Sequence, residues 1–209
     1  MRERFYRLVL IAGLSTLLSA TASTDAPADY GTCVACHGVQ GEGNPSLGTP
    51  ALAGQSADYL VRQLTNFQSG LRGTAPDDTY GSQMVAIAAL LNDDSKQQIA
   101  EYLATLPRVK PVATLKGDVA AGRGVYNSNC SDCHGAQGEG NAALSAPRLA
   151  GLGDQYLFDQ FKKFQRKQRG YAPADKRGRQ MQFMSDVITD DASLTNVVTY
   201  IQTLTGTPQ

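Results

Sequence analysis

Cysteine and histidine are confined in this chain to two pentapeptides with the same spacing. They are Cys33-Val34-Ala35-Cys36-His37 and Cys130-Ser131-Asp132-Cys133-His134. Two thiols three positions apart lie on one side of a helical turn, where each can form a thioether with a vinyl group of the same porphyrin. The histidine that follows can bind the iron at the ring centre. The spacing therefore predicts two covalently attached c-type haems, each held by the cysteines of one pentapeptide and ligated by its histidine, His37 or His134.

Other chemistry of paired cysteines fits this chain less well. A zinc site would place its second cysteine pair about 15–20 residues downstream, whereas 93 residues separate Cys36 from Cys130. A thioredoxin-like dithiol would lie in a strand–helix–strand pattern, and neither pentapeptide is surrounded by one. A disulfide and a metal site remain the alternatives to haem attachment.

The chain is an internal duplication. A shift of 97 residues superposes the two pentapeptides, and 29 of 62 positions in residues 33–94 are then identical to residues 130–191 without a gap. We therefore predict two equivalent domains at residues 23–108 and 117–209. A proline-containing linker at residues 109–116 is expected to join them.

No histidine remains for the opposite face of either iron, so methionine, lysine or an open position must complete the coordination. The repeat places Met84 and Met181 at equivalent positions, whereas Met184 corresponds to Ile87. A lone methionine on a helix is more often core filler than a ligand. The shared register nevertheless favours Met84 for the first iron and Met181 for the second, with Met184 as an alternative for the second.

The elements that must position these residues are predicted to be helices, and no stretch alternates as a half-buried strand does. The predicted helices lie near residues 56–69, 84–91 and 93–106 in the first repeat, and near residues 118–127, 155–166, 181–188 and 191–204 in the second. The first repeat has only residues 27–30 where the second has its opening helix, so that helix is predicted to be short or missing. The predicted fold class is all-α, with two tandem domains that each enclose one haem.

The N-terminus has the features of a secretory signal peptide. Three arginines within the first seven residues precede an apolar run at residues 8–18, and Ala20-Thr21-Ala22 has the small residues of a cleavage site. We predict a signal peptide over residues 1–22 and export to the periplasm, with an uncleaved anchor as the alternative. The run is shorter than the roughly 20 apolar residues that span a bilayer.

Formal net charge is zero over the chain, but the two halves differ. Residues 24–109 hold nine acids and four bases, whereas residues 110–209 hold twelve bases and nine acids. A basic cluster in the second half consists of Lys162, Lys163, Arg166, Lys167, Arg169, Lys176, Arg177 and Arg179. This cluster is either a docking patch for an acidic redox partner or ordinary solvated surface. An exported haem protein is not expected to bind nucleic acid.

Several of these features together resemble a known family. The two CxxCH pentapeptides, the equivalent methionines Met84 and Met181, and terminal helices that contain Tyr102 and Tyr200 resemble a tandem class I cytochrome c, and most closely the bacterial dihaem cytochrome c4 family. The resemblance covers about residues 25–204. It implies a periplasmic electron carrier with two low-spin haems. It also implies peripheral association with the inner membrane, and redox partners such as a terminal oxidase or a quinol-oxidising complex.

The resemblance further implies that the carbonyls of Pro50 and Pro147 accept a hydrogen bond from the axial histidines. Arg72 and Arg169, which are equivalent in the repeat, could contact haem propionates. An iron closed by histidine and methionine exchanges one electron but offers no position to a substrate. We therefore predict an electron carrier and not an enzyme. The alternatives are a dihaem oxidoreductase, such as a thiosulfate dehydrogenase, and the haem subunit of a flavocytochrome.

Overall fold

The computed structural model describes residues 25–207, and the predicted signal peptide at residues 1–22 lies outside the described residues. Within residues 25–207 the regular structure is helical, apart from isolated backbone bridges between Asn44 and Thr49 and between Asn141 and Ala146. The α-helices are α1 (Gly31–His37), α2 (Ala57–Gln68), α3 (Thr79–Ala88), α4 (Asp93–Thr105), α5 (Val119–Asn129), α6 (Ser131–His134), α7 (Asp154–Gln165), α8 (Lys176–Met184) and α9 (Asp191–Ile201). The prediction of an all-α fold is confirmed. None of the helices in the described part of the chain is long and apolar enough to span a membrane.

Side-chain caps decide where the methionine-bearing helices begin. Asp78 Oδ1 accepts a hydrogen bond from the backbone N–H of Gly81 at 2.9 Å, and Asp175 Oδ1 accepts one from Gly178 at 2.9 Å. Helices α3 and α8 each begin one residue after the capping aspartate, five residues before their predicted starts. The predicted starts were too late because they followed the apolar residues and not the caps.

The two repeats differ most at their beginnings. A 3₁₀ turn at Ala28–Tyr30 leads directly into α1, whereas the second repeat has the full helix α5, which is capped by Asp118. The predicted short opening of the first repeat is confirmed. Helix α5 packs on α9 at Gly122, where a Cβ atom would lie 2.0 Å from the carbonyl oxygen of Asn196. Glycine is required there because the two helix backbones meet.

Each repeat has its own hydrophobic core. The core of the first repeat is formed by Tyr30, Leu60, Leu91, Ile99, Ala100 and Leu103. That of the second is formed by Tyr126, Leu157, Ile188, Leu194, Val197, Val198 and Ile201. A tyrosine from the terminal helix packs on each core, with ring centroids 5.3 Å apart for Tyr30 and Tyr102 and 5.5 Å apart for Tyr126 and Tyr200. The terminal helices therefore close the two cores in the same way.

Hydrogen bonds attach the linker to the second repeat and connect the two repeats to each other. Residues 107–118 contain no helix, and the N–H groups of Thr114 and Leu115 donate to the Asp154 carboxylate at the start of α7. Across the boundary, Gln55 Nε2 donates to the carbonyl of Arg148 at 3.1 Å, and Gln55 Oε1 accepts from the Arg148 N–H at 3.1 Å. The end of the linker is thus attached to the second repeat, and the second repeat is attached to the first.

Candidate haem sites

Both CxxCH pentapeptides end in a short helix that stops at a glycine. Helices α1 and α6 finish at the histidine, and the next residue, Gly38 or Gly135, has φ of 83° in both repeats. This left-handed region favours glycine, and a Cβ atom at either position would also lie 2.2 Å from the carboxyl group of Glu42 or Glu139. The chain can therefore turn sharply after each histidine only because glycine follows it.

A buried tyrosine holds each of these turns, a role that the sequence pattern did not indicate. The hydroxyl of Tyr30 donates to the carbonyl of Gly38 at 2.7 Å, and that of Tyr126 donates to Gly135 at 2.7 Å. Burial raises the pKa of Tyr30 to about 12 and also raises the pKa of Tyr126, so both phenols stay protonated as donors. The two tyrosines are 96 positions apart, one fewer than the repeat offset, so a gap-free comparison does not pair them.

The environment of the cysteines argues against the other uses of a CxxC pair. All four cysteines lie in the described part of the chain, and no disulfide joins them. Burial raises the pKa of the Cys33 thiol and raises that of Cys130 to about 11, whereas a redox-active dithiol needs a lowered pKa. Within residues 25–207 no group of three or more His, Cys, Asp or Glu side chains lies close enough together to hold a metal ion.

Each histidine is buried and directs one ring nitrogen at a proline carbonyl. His37 Nδ1 lies 3.0 Å from the Pro50 oxygen, and His134 Nδ1 lies 2.8 Å from the Pro147 oxygen. Because a carbonyl only accepts, Nδ1 carries the proton and Nε2 keeps the lone pair that can bind iron. Burial lowers the pKa of both histidines despite the proline hydrogen bond, which favours the neutral imidazole that a metal requires. The hydrogen bond that the family resemblance implies is confirmed.

The candidate methionines lie at equivalent positions of equivalent helices. Met84 in α3 and Met181 in α8 each follow their capping aspartate by six residues. Both side chains are half-buried, and so is Met184 at the end of α8. Burial therefore does not separate Met181 from Met184, and the assignment of Met84 and Met181 as ligands remains a prediction based on the repeat.

Two buried arginines meet where the repeats contact each other. Arg72 and Arg169 are 8 % and 7 % exposed, and each donates to the amide oxygens of both Gln63 and Gln160, over distances of 2.7 to 3.1 Å. Their hydrogen-bond acceptors in residues 25–207 are neutral amide and phenol oxygens, with no carboxylate among them. A pair of buried cations with neutral acceptors would be stabilised by an anion.

The hydroxyls of two tyrosines complete this arginine cluster. Arg169 donates to the Tyr59 hydroxyl at 2.9 Å, whereas the equivalent contact of Arg72 with Tyr156 is longer, at 3.5 Å. Burial acts to raise the pKa of Tyr59, but the charges of Arg169 and Arg72 outweigh it and lower that pKa. The cluster therefore favours negative charge at its centre.

Three members of the predicted basic cluster are used within the molecule. Lys162 forms an ion pair with Asp191 at 2.6 Å, Lys163 forms one with Asp78 at 2.6 Å, and Arg169 is buried. The exposed members are Arg166, Lys167, Lys176, Arg177 and Arg179. The basic surface open to a partner is accordingly smaller than the sequence suggests.

The neutral buried histidines, the cysteines one helical turn before them and the cationic cluster fit a c-type haem in each repeat. A family model described as cytochrome c matches the chain twice, over residues 26–107 and 119–205. The chain belongs to the cytochrome c family and carries two covalently attached c-type haems in two tandem domains.

The relatives indicate which kind of cytochrome c this chain is similar to. Cytochrome c4 of Azotobacter vinelandii is 31% identical over 177 residues, which are 78% of this chain and 82% of that protein. The solved structure of cytochrome c4 from Acidithiobacillus ferrooxidans matches with a TM-score of 0.68 and 25% identity, covering 83% of this chain and 99% of that one. The thiosulfate dehydrogenase electron acceptor of Stutzerimonas stutzeri strain A1501 is 34% identical over 164 residues, which are 74% of this chain and 72% of that protein. The chain is a cytochrome c4-like dihaem electron carrier.

Proposed function

We propose that this chain is a periplasmic carrier that takes up one electron on each haem and passes it towards a terminal oxidase. The observation that carries the proposal is the duplication of one ligand set. In each domain a buried histidine is held by a proline carbonyl, and one methionine lies at the equivalent position of a capped helix. Each haem, when bound, supplies an iron that changes between ferrous and ferric states by one electron.

We assign the ligands residue by residue. The thiols of the two pentapeptides form the thioethers, from Cys33 and Cys36 in the first domain and from Cys130 and Cys133 in the second. His37 and Met84 would hold the first iron, and His134 and Met181 would hold the second. An iron held by two such side chains would have no position left for a substrate, which favours electron transfer over catalysis.

The buried arginine cluster is assigned to the haem propionates. Arg72 and Arg169 are surrounded by neutral acceptors, and a carboxylate between them would compensate both charges. The assignment would place the propionate edges of the two haems near the boundary between the domains. A short path through this boundary would suit electron exchange between the haems.

The methionine ligands can be tested by substitution, with the variants Met84→Ala, Met181→Ala and Met184→Ala. The first two should each abolish the methionine–iron charge-transfer band of one haem, lower its reduction potential and let carbon monoxide bind to that iron. Met184→Ala is the matched control because it lies on the same helix as Met181. Absorption spectra during a potentiometric titration report all three effects. Loss of the band in Met184→Ala would transfer the second ligand role to Met184.

The carrier function is tested on the purified holoprotein. We expect two one-electron steps, and only slow binding of carbon monoxide or cyanide at neutral pH. Rapid binding of either would favour the dihaem oxidoreductase alternative, and co-purification with a flavin-containing subunit would favour the flavocytochrome alternative. The relative named as a thiosulfate dehydrogenase electron acceptor supports a substrate-oxidising enzyme as the donor.

The location is tested by cell fractionation. The signal peptide features at residues 1–22 support export, so the mature protein should be recovered from the periplasm or released from inner membranes by salt. Recovery only with the detergent-soluble membrane fraction would favour the uncleaved anchor.

A further inference from the structure

The second domain supports the segment that leads into the Met84 helix. Lys163, on α7, forms an ion pair with Asp78 at 2.6 Å. Nearby, Gln168 Nε2 donates to the carbonyl of Pro76 at 3.2 Å. Helix α3, which carries Met84, starts directly after this segment. Contacts from the second domain thus hold the residues that precede the helix of Met84, a candidate iron ligand of the first domain.

Among residues 25–207, neither of these two contacts has an equivalent that runs from the first domain to the Met181 segment. The repeat offset of 97 pairs Lys163 with Asn66 and Gln168 with Leu71. Asn66 is buried, but its Nδ2 atom has no hydrogen-bond partner among the described residues, and the leucine side chain cannot donate a hydrogen bond. Asp175 forms no salt bridge with residues 25–207, although its charge acts at longer range on Arg169 and on Arg62 of the first domain. Within residues 25–207 the Met181 segment therefore has no ion pair equivalent to that of Lys163 with Asp78. Its contact with the first domain is a weaker one, from the Tyr171 hydroxyl to the carbonyl of Gly70 at 3.2 Å.

The ion pair lies at the capped start of α3, so its loss would disturb that helix. The Asp78 side chain is 3 % exposed and that of Lys163 is 16 % exposed. The same oxygen, Asp78 Oδ1, accepts from both Lys163 and the N–H of Gly81, so one atom joins the second domain to the first turn of α3. Removing the lysine would leave a buried carboxylate without its cation, which is strongly destabilising. The carboxylate would then move towards water and take the start of α3 with it.

We propose that Lys163 is a positioning residue for the first haem: through Asp78 it holds the helix of Met84, whereas no equivalent ion pair within residues 25–207 joins the first domain to the helix of Met181. The inference rests on the proposed role of Met84 as an iron ligand. Because only the first iron depends on this contact, its methionine bond should be selectively weakened when the contact is broken.

The experiment measures how fast cyanide replaces the methionine on each oxidised iron of the holoprotein. Haem methyl signals in the proton NMR spectrum separate the two haems, and the variants Met84→Ala and Met181→Ala assign the signals. Lys163→Asn copies the residue at the equivalent position of the first repeat, Asn66. Lys162→Asn is the matched control, because that lysine is on the same helix and pairs with the exposed Asp191.

Asp78→Asn is a second variant that removes the buried carboxylate and keeps the cap of α3, since asparagine also caps helices well. The lysine that it leaves without an anion is 16 % exposed and can turn its ammonium group towards water. Lys163→Asn should accelerate cyanide binding at the first haem about tenfold or more, because a buried pair is broken on one side only. Asp78→Asn should act in the same direction with a smaller effect. The second haem, and both haems of Lys162→Asn, should stay within about twofold of the unmodified protein, because an exposed pair contributes little.

The proposal would be overturned if Lys163→Asn left the rate of cyanide binding at the first haem unchanged, or raised it equally at both haems. Either result would show that Lys163 does not act selectively on the first haem. A different result would contradict the assignment of Met84 as an iron ligand. If Met84→Ala leaves methionine bound to the first iron, the proposed function loses that ligand whatever Lys163→Asn does.

Discussion

At the scale of single residues, both domains solve the same problem of orienting an imidazole on a very short helix. The hydrogen bond to the carbonyl of Pro50 or Pro147 fixes Nδ1 and leaves Nε2 for the metal. On the other side of the turn, the hydroxyl of Tyr30 or Tyr126 holds the carbonyl of the glycine that follows the histidine. Each histidine is therefore restrained through both its ring and its backbone.

The tyrosines of the arginine cluster provide a prediction at the same scale. Tyr59→Phe removes the acceptor that lies 2.9 Å from Arg169, so the free energy of unfolding should fall by about 1–3 kcal/mol, as expected when a charged buried donor loses its acceptor. Tyr156→Phe is the matched control, because its hydroxyl lies 3.5 Å from Arg72 and less is lost. Urea unfolding of the two holoproteins measures both values. Equal losses would mean that the contact with the arginine is not the cause.

At the scale of elements, the spacing of apolar residues along the sequence predicted the bounds of the amphipathic helices. The amphipathic helices α2 and α7 were predicted at residues 56–69 and 155–166, and are observed one residue or less from those limits at each end, over Ala57–Gln68 and Asp154–Gln165. The contact of Lys163 with Asp78 could not be predicted in this way. It joins residues 85 positions apart, and no periodicity shows which helix faces meet across a domain boundary.

The crossing of α5 and α9 provides a prediction for an element. Gly122→Ala should lower the free energy of unfolding by about 3 kcal/mol, as overpacking does, because the new Cβ atom would lie 2.0 Å from the Asn196 oxygen. Gly124→Ala, on the same helix, has nothing within 4 Å of its new Cβ atom. It should be neutral or stabilise by about 0.5–1 kcal/mol, since alanine favours a helix. Thermal unfolding of the two variants tests the contrast, and similar effects would contradict the close crossing.

The linker attachment provides a prediction of pH dependence. Burial acts to raise the pKa of Asp154, but the hydrogen bonds from the N–H groups of Leu115 and Thr114 outweigh it and lower that pKa. A carboxyl group with a lowered folded pKa contributes stability above its unfolded value of about 4, and the contribution is lost as the pH falls through the folded pKa.

Asp154→Asn should therefore reduce the free energy of unfolding at pH 7 by about 1–3 kcal/mol. The difference from the unmodified protein should shrink as the pH falls below about 4, where the unmodified carboxylate also becomes protonated. Denaturant titrations across this pH range measure the difference. Asp159→Asn is the control on the same helix, because its carboxylate is exposed and accepts from the neighbouring side chain of Gln155. A gap that widened towards acid pH would contradict the role of the Asp154 carboxylate.

At the scale of the whole molecule, the boundary between the domains is symmetric at its centre and asymmetric towards its edges. Arg72 donates to Gln160 as its equivalent Arg169 donates to Gln63, and the equivalent residues Thr74 and Tyr171 contact each other at 2.7 Å. Away from this centre, the contacts of Gln55 with Arg148 and of Lys163 with Asp78 have no equivalents in the opposite direction within residues 25–207. A family match therefore predicts the two domains but not how each depends on the other.

The pairing of Gln55 with the backbone of Arg148 provides a prediction for the whole molecule. Gln55→Leu copies the equivalent residue of the second repeat, Leu152, and removes both hydrogen bonds across the boundary. The free energy of unfolding should fall by about 1–3 kcal/mol. The two domains of the variant should unfold at different urea concentrations, whereas those of the unmodified protein should unfold together. NMR signals of the two haems distinguish the domains.

The control for this variant is Gln97→Leu, because Gln97 is exposed and its side chain donates to Glu101 on the same helix, α4. It should keep a single transition. Separate unfolding of the two domains in the unmodified protein would show that the boundary contacts do not make them cooperative.

Because Lys163 of the second module pairs with Asp78 of the first, and the first module has Asn66 in place of the lysine, the two modules are not interchangeable. A recombinant chain built from two copies of the second module would have the lysine and the capping aspartate in both halves, because Asp175 already occupies the matching position. Two copies of the first module would have the aspartate in both halves and the lysine in neither. The module that carries the lysine therefore decides which capping aspartate receives a cation from the neighbouring module.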